Sequence, residues 1–127
     1  MYTVVMGVGT DHERTLRKAH AIADLPAPPE SLAVVVVQAG GSSADTPDTA
    51  RVVSFFDEHD IDSTVETVST DPPTALVEIA TDREADLICV GGRQRSPAGK
   101  AQLRSGAQSV MVNTDRPVLV AGEPGDY

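Results

Sequence analysis

The sequence predicts an α/β fold, a five-stranded parallel sheet doubly wound with helices on both faces. Three observations predict it. Strand-like and helix-like segments alternate along all 127 residues. The strand-like runs around Val4-Val5-Met6, Val34–Val37 and Leu87–Val90 are apolar at successive positions, as in strands buried on both faces. Each of these runs is short and closed by turn residues, which separates it from a buried helix. Right-handed crossovers between parallel strands then leave only doubly wound topologies. In such sheets a ligand sits outside the carboxyl ends of the strands, where the strand order reverses.

The elements follow in order. Tyr2 to Val8 is a β-branched run closed by Gly9. Thr10-Asp11-His12-Glu13 has the form of a capping box, with Thr10 as cap and Glu13 reaching back three residues later. The helix that follows presents Leu16, Ala19, His20 and Ala23 on one side, and Pro26, Pro28 and Pro29 end it. Leu32 to Val37 is a second buried strand, too short for a helix. Ala39 to Asp45 is a Gly/Ser loop. Thr46-Pro47 opens the next helix with proline at its first position, and Val52, Val53, Phe55 and Phe56 supply its buried side. Ile61 to Val68 alternates in the manner of an edge strand. Asp71-Pro72-Pro73 starts a third helix with Leu76, Ile79 and Ala80 as its apolar face. Asp86 to Val90 is the fourth strand, Gly91 to Gly99 a glycine-containing loop, Lys100 to Asn113 a fourth helix and Pro117 to Ala121 a fifth strand. Residues 1–127 read as one domain.

Composition narrows the function classes. The formal charge is -9 and the pI near 4.5, which argues against general binding to nucleic acid or anionic membranes. Lys18 and Lys100 are the only lysines, against eight arginines. An acidic, lysine-poor surface is the expectation for a protein working in high salt, where screening tolerates self-repulsion. One cysteine, Cys89, excludes an intrachain disulfide, and its apolar neighbours Ile88 and Val90 make it a small hydrophobe. No apolar stretch approaches the roughly 20 residues of a membrane span, and the N-terminus lacks the layout of a signal peptide. A soluble, cytoplasmic protein is expected.

The loop after the fourth strand carries most of the chemistry. Between Asp86 and Asp115 there is no acidic residue, yet Arg93, Arg95, Lys100 and Arg104, four of the ten positive charges, all fall there. Glycines let backbone N–H groups approach a ligand, and a helix N-terminus adds positive partial charge. Gly91, Gly92 and Gly99 beside those cations meet the requirements of a phosphate site. A solvated charge run paired with surface carboxylates is the competing reading.

Here the sequence resembles a family. Glu84-Ala85-Asp86-Leu87-Ile88-Cys89-Val90-Gly91-Gly92-Arg93 is similar to the "ADLIVxGxxG" segment of universal stress proteins. Gln108-Ser109-Val110-Met111 and Asp115-Arg116-Pro117-Val118-Leu119-Val120 resemble that family's closing helix and final strand. The resemblance implies an adenine-nucleotide alpha hydrolase-like, Rossmann-like fold with strand order 3-2-1-4-5. It implies a stress-response regulator or nucleotide sensor that binds ATP, AMP or a similar small anionic ligand. The site residues it implies are Val8, Gly9, Thr10 and Val37 near the base, and Gly91, Gly92, Arg93, Arg95, Gly99, Arg104 and Ser105 near the phosphates. The family's ATP-binding register (glycine, two residues, glycine, nine residues, glycine, then Ser or Thr) begins at Gly91 and keeps Ser105. It meets Gln94 and Arg104 where the second and third glycines fall. The aspartate that the family tends to place after the first strand is Gly9 here. Arg104 either crowds the phosphate or supplies a new contact to it. The alternative function is a dimeric interaction module of the same fold that binds no nucleotide. The resemblance also implies a homodimer through the final strand, Pro117 to Ala121, an edge of the kind that proteins pair or cover.

Other motifs fail. Gly7-Val8-Gly9 imitates a dinucleotide fingerprint, but His12 stands at the third glycine and the second strand ends at Gln38 without an acidic residue for a ribose. A phosphorelay receiver needs carboxylates after the first and third strands, where Gly7-Val8-Gly9 and Ser69-Thr70 stand. His12, His20 and His59 occupy unrelated segments without metal-ligand spacing. Neither a catalytic constellation nor a metal site is expected.

Overall fold

The computed structural model describes residues 1–9, 12–39, 47–91, 93–95, 101–103 and 105–121. Along the chain these form β1 (Tyr2–Val8), α1 (His12–Ala23), a 3-10 turn (Pro29–Ser31), β2 (Leu32–Gln38), α2 (Pro47–Glu58) and β3 (Asp62–Thr67). Then come α3 (Pro72–Asp82), β4 (Leu87–Gly91), β5 (Arg93–Arg95), β6 (Ala101–Leu103), α4 (Ser105–Asn113) and β7 (Val118–Ala121). The main sheet runs β3-β2-β1-β4-β7 with every pair parallel. With β7 as the fifth strand read from the sequence, this is the expected order 3-2-1-4-5.

Alternate residues of the apolar strands feed two cores. Val4, Met6, Val34, Val36 and Cys89 pack with Ala19 and Ile22 of α1 and Val52 and Phe56 of α2. Val5, Val35, Val37, Ile88 and Val90 pack on the opposite face with Leu76 and Ile79 of α3 and Ala107 and Val110 of α4. Helices thus cover both faces, and a sheet buried on two sides explains the continuous valine runs. β3 is the edge that its alternation predicts, and half of Val65 remains in solvent.

Local chemistry sets the helix ends. The Asp71 carboxylate accepts from the Thr74 amide at 3.3 Å and from the Thr74 hydroxyl at 3.0 Å, capping α3, whose first turn holds the prolines. Glu84, at φ 49°, turns the chain out of α3 in the left-handed region, and the Ala85 amide then donates to the Ala80 carbonyl at 2.9 Å. Asp60, at φ 60°, does the same after α2.

Three expectations are corrected. His20 is exposed, its ring edge-on to Phe55 at 4.6 Å, and the buried stripe of α1 is Thr15, Ala19 and Ile22. The stretch after β4 is not a loop throughout. Arg93 to Arg95 pairs antiparallel with Ala101 to Leu103, Arg93 opposite Leu103 and Arg95 opposite Ala101. α4 accordingly begins at Ser105, because residues 101–103 spend their backbone hydrogen bonds on this ribbon instead of a helix. The proposed capping box at Thr10 and Asp11 and the Gly/Ser loop from Gly40 onward lie outside the described residues.

Candidate nucleotide crevice

The reversal of strand order lies between β1 and β4, and hydrogen bonding shows where they part. At their amino ends Asp86 holds them together: its amide donates to the Thr3 carbonyl at 2.8 Å, and its carboxylate accepts from the Thr3 amide at 2.9 Å. Val4, Val5 and Met6 then register against Leu87, Ile88 and Cys89. Beyond Met6 the strands follow different neighbours. Gly7 and Val8 stay on β2, opposite Val37 and Gln38, while Val90 and Gly91 stay on β7, opposite Val120 and Ala121. A crevice opens between them, as doubly wound sheets require at this point.

A cleft of about 360 Å³ begins at that opening. Its floor is Cys89, Val90 and Gly91 of β4. Its walls are Lys18 of α1, Pro72, Pro73 and Leu76 of α3, and Gly106 and Ala107 in the first turn of α4. The volume is within the range of small-ligand sites. Backbone N–H groups in a first helical turn have no intrahelical acceptor, so the α4 wall offers donors and the positive end of a helix dipole. A Cβ on Gly91 would stand in ordinary contact, 3.5 Å from Cγ of Arg14 and 3.6 Å from Cδ of Lys18. A larger hollow of about 460 Å³ lies at the other end of the sheet, among Thr3, Val34, Asp62 and Thr64. Its one cation, Arg83, is already hydrogen-bonded to Glu66. The smaller cleft, at the reversal of strand order and beside a helix N-terminus, is the better candidate.

Burial perturbs two groups here. Desolvation pushes the Cys89 thiol up to about 12, against a smaller opposing pull from Lys18. Cys89 is therefore a neutral, fully buried side chain, as its apolar context predicts. Desolvation also lowers the Lys18 pKa; Cys89 counteracts this and the neighbouring Arg14 guanidinium adds to it.

The expected site residues divide into three groups. Gly91 lies in the cleft. Gly9 follows β1 in the open, with nothing within 4 Å of a Cβ built on it, and its amide lies 3.5 Å from the Thr15 hydroxyl. Ser105 is the first residue of α4, and Arg93 and Arg95 are on the β5 strand of the ribbon. Val8 and Val37 are not brought together: Val8 packs on the α1–α2 face, whereas Val37 is buried on the α3–α4 face. Thr10, Gly92, Gly99 and Arg104 lie outside the described residues. The residues missed from the sequence are Lys18, Pro72, Pro73, Leu76 and Gly106. Lys18 carried a signal, being three residues after Thr15 and four before Ile22 on the buried stripe of α1, where a lysine interrupts an apolar pattern.

A doubly wound parallel sheet with a cleft at its switch point, walled by a helix N-terminus, defines a Rossmann-like domain. The sequence matches the universal stress protein family over residues 7–122, and the chain belongs to that family. Among solved structures, a universal stress protein from Archaeoglobus fulgidus superimposes with a TM-score of 0.75 at 24% identity, covering 94% of this chain and 98% of that one. A universal stress protein of the same organism in complex with dAMP gives 0.69 at 20% identity, covering 94% and 97%. A family member from Arabidopsis thaliana with AMP bound gives 0.68 at 11% identity, covering 99% and 94%. These likenesses establish the fold. No curated protein sequence matches the chain significantly. Among the described residues no group of three or more His, Cys, Asp or Glu could hold a metal ion, and no helix is long and apolar enough to cross a membrane.

Proposed function

We propose that residues 1–127 form a single cytoplasmic regulatory domain, not an enzyme, that senses an adenine nucleotide in the crevice between β1 and β4. The observation that carries this reading is the parting of those strands after Met6 and Cys89, which leaves Gly91 and the first turn of α4 facing one cleft. The complexes of related proteins with dAMP and AMP support the ligand class. The basic ribbon and the residues around it, Arg93, Arg95, Gly99, Arg104 and Ser105, supply the phosphate contacts in this reading, and Val8, Gly9 and Thr10 lie toward the base. Mass analysis of small molecules released from the purified, denatured chain is the direct test. Recovery of AMP or ATP, or calorimetric binding of either, is expected. A chain that neither retains nor binds nucleotide at millimolar concentration overturns the reading.

A second reading is favoured by Gly9, Gln94 and Arg104, which depart from the family's ATP-binding pattern. In it the domain is a dimeric interaction module that binds no nucleotide. Both readings share a homodimer through β7. Val118, Leu119 and Val120 of that edge strand are only half-buried, and Val112 on the preceding helix is 81% exposed. A monomer mass by light scattering at micromolar concentration would remove the dimer. The net charge of -9 with two lysines supports adaptation to high salt; the melting temperature should then rise with salt, and a flat response refutes it.

A further inference from the structure

We propose that Lys18 reads the charge of the ligand: its ammonium and the first turn of α4 grip one phosphate from opposite walls of the cleft, so that the site takes nucleoside phosphates and discriminates against free nucleosides. This rests on the nucleotide reading above and assigns its selectivity to a residue outside the basic ribbon.

Lysines on a buried stripe normally run their stems along apolar surface and return the head to bulk water. Lys18 does otherwise. Its ammonium donates to the carbonyl of Gly7, the residue at which β1 leaves β4. Its stem crosses Gly91, with Cδ 3.6 Å from where a Cβ would stand, an ordinary contact that a side chain longer than alanine's would crowd. An ammonium has three donors, and the Gly7 carbonyl takes one. Among the described residues no carboxylate forms an ion pair with it. The charged and titratable groups acting on it are Arg14, of like sign, and the protonated Cys89 thiol. Lys18 is thus a cation whose charged form burial disfavours and which has no carboxylate partner among the described residues.

Across the cleft stand Gly106 and Ala107. α4 is nine residues long, enough for its unbonded first-turn amides and dipole to attract an anion. The walls between the two poles are the apolar side chains of Pro72, Pro73, Leu76 and Val110. Low polarity between two positive poles strengthens their attraction for an oxyanion and offers a neutral ribose or base no equivalent. The negative charge of a phosphate there would offset the desolvation that lowers the Lys18 pKa.

The test titrates the full chain with AMP, adenosine and inorganic phosphate by calorimetry, using wild type, Lys18→Met and Lys18→Arg. The side-chain ammonium signal of Lys18 is followed by 15N NMR. Wild type should bind AMP about tenfold or more tighter than adenosine, the worth of one charge-assisted contact. Lys18→Met should narrow that preference by weakening AMP and leaving adenosine unchanged, and Lys18→Arg should restore part of it. The Lys18 signal should move with AMP and with phosphate. A wild type that binds AMP, with Lys18→Met keeping the same preference, overturns the role of Lys18 and leaves the nucleotide reading intact. A wild type that binds neither AMP nor adenosine overturns both. Should Lys18→Met fail to fold, a Lys18 signal unmoved at saturating AMP overturns the proposal on wild type alone.

Discussion

Cys89 offers a stability prediction with a magnitude. In the folded chain its thiol is fully buried and pushed up from an ordinary 9.0 to about 12 by desolvation. In the unfolded chain it ionises at the ordinary value. Between pH 9 and 12 the unfolded state therefore sheds a proton that the folded state keeps, and stability falls as pH rises. At about 1.4 kcal/mol per pH unit, the full window is worth about 4 kcal/mol, a large share of the 5–15 kcal/mol typical of a domain. Lys18 acts in the opposite sense below the ordinary lysine value, because its lowered pKa lets the folded state release a proton first. Cys89 and Lys18 act on each other, so the comparison of wild type with Cys89→Ala reads the thiol together with that coupling, in which desolvation of the thiol is the larger cause. Urea unfolding followed by circular dichroism at pH 7, 9, 10 and 11 should show the wild-type advantage over Cys89→Ala shrinking by about 1.4 kcal/mol per unit above pH 9. A difference that stays level from pH 9 to 11, or alkylation of the native thiol at pH 9 as fast as free cysteine, would refute the argument.

Phe56→Ala empties a site that is 0% exposed between α2 and the sheet, and should cost about 3–5 kcal/mol by denaturant unfolding. Asp71→Ala removes the cap of α3 and should cost about 1 kcal/mol, with Asp71→Ser recovering most of it. Gly91→Ala meets only ordinary contacts and should leave the melting temperature nearly unchanged, whereas Gly91→Leu should displace the Arg14 and Lys18 stems and weaken AMP binding in calorimetry. AMP should raise the Lys18 pKa from its lowered value, read as a shift of the ammonium titration in NMR.

The fold was legible because its signals are local and mutually consistent. Val34 to Val37 are buried on alternate faces, so their unbroken apolar run carried a two-sided sheet directly. Asp71-Pro72-Pro73 combined a cap with prolines that fit only the first turn, and α3 begins there. The ribbon of β5 and β6 was not legible, since Arg93-Gln94-Arg95 has no apolar periodicity and its order comes from pairing with residues six to ten positions on. The candidate site was half legible. Gly91 follows from the glycine that closes the fourth apolar run, whereas α4, expected from Lys100, begins at Ser105. Lys18 does not follow, because its place depends on α1 crossing the mouth of two strands whose paired residues lie 83 positions apart. Val8 and Val37 show the same limit: both lie at the carboxyl ends of neighbouring strands, yet strand parity sends their side chains to different faces.

The seams of the sheet are unequal. Seven residue pairs join β1 to β2, but three join β1 to β4, with Asp86 as a rivet at the closed end. The outer leaf of β4 and β7 thus hangs from the rest of the sheet by a short hinge, with the candidate cleft at its unfastened side. A molecule wedged there would splint the two leaves together. The exposed rim of β7, one strand away, would feel that stiffening before any other surface of the protein.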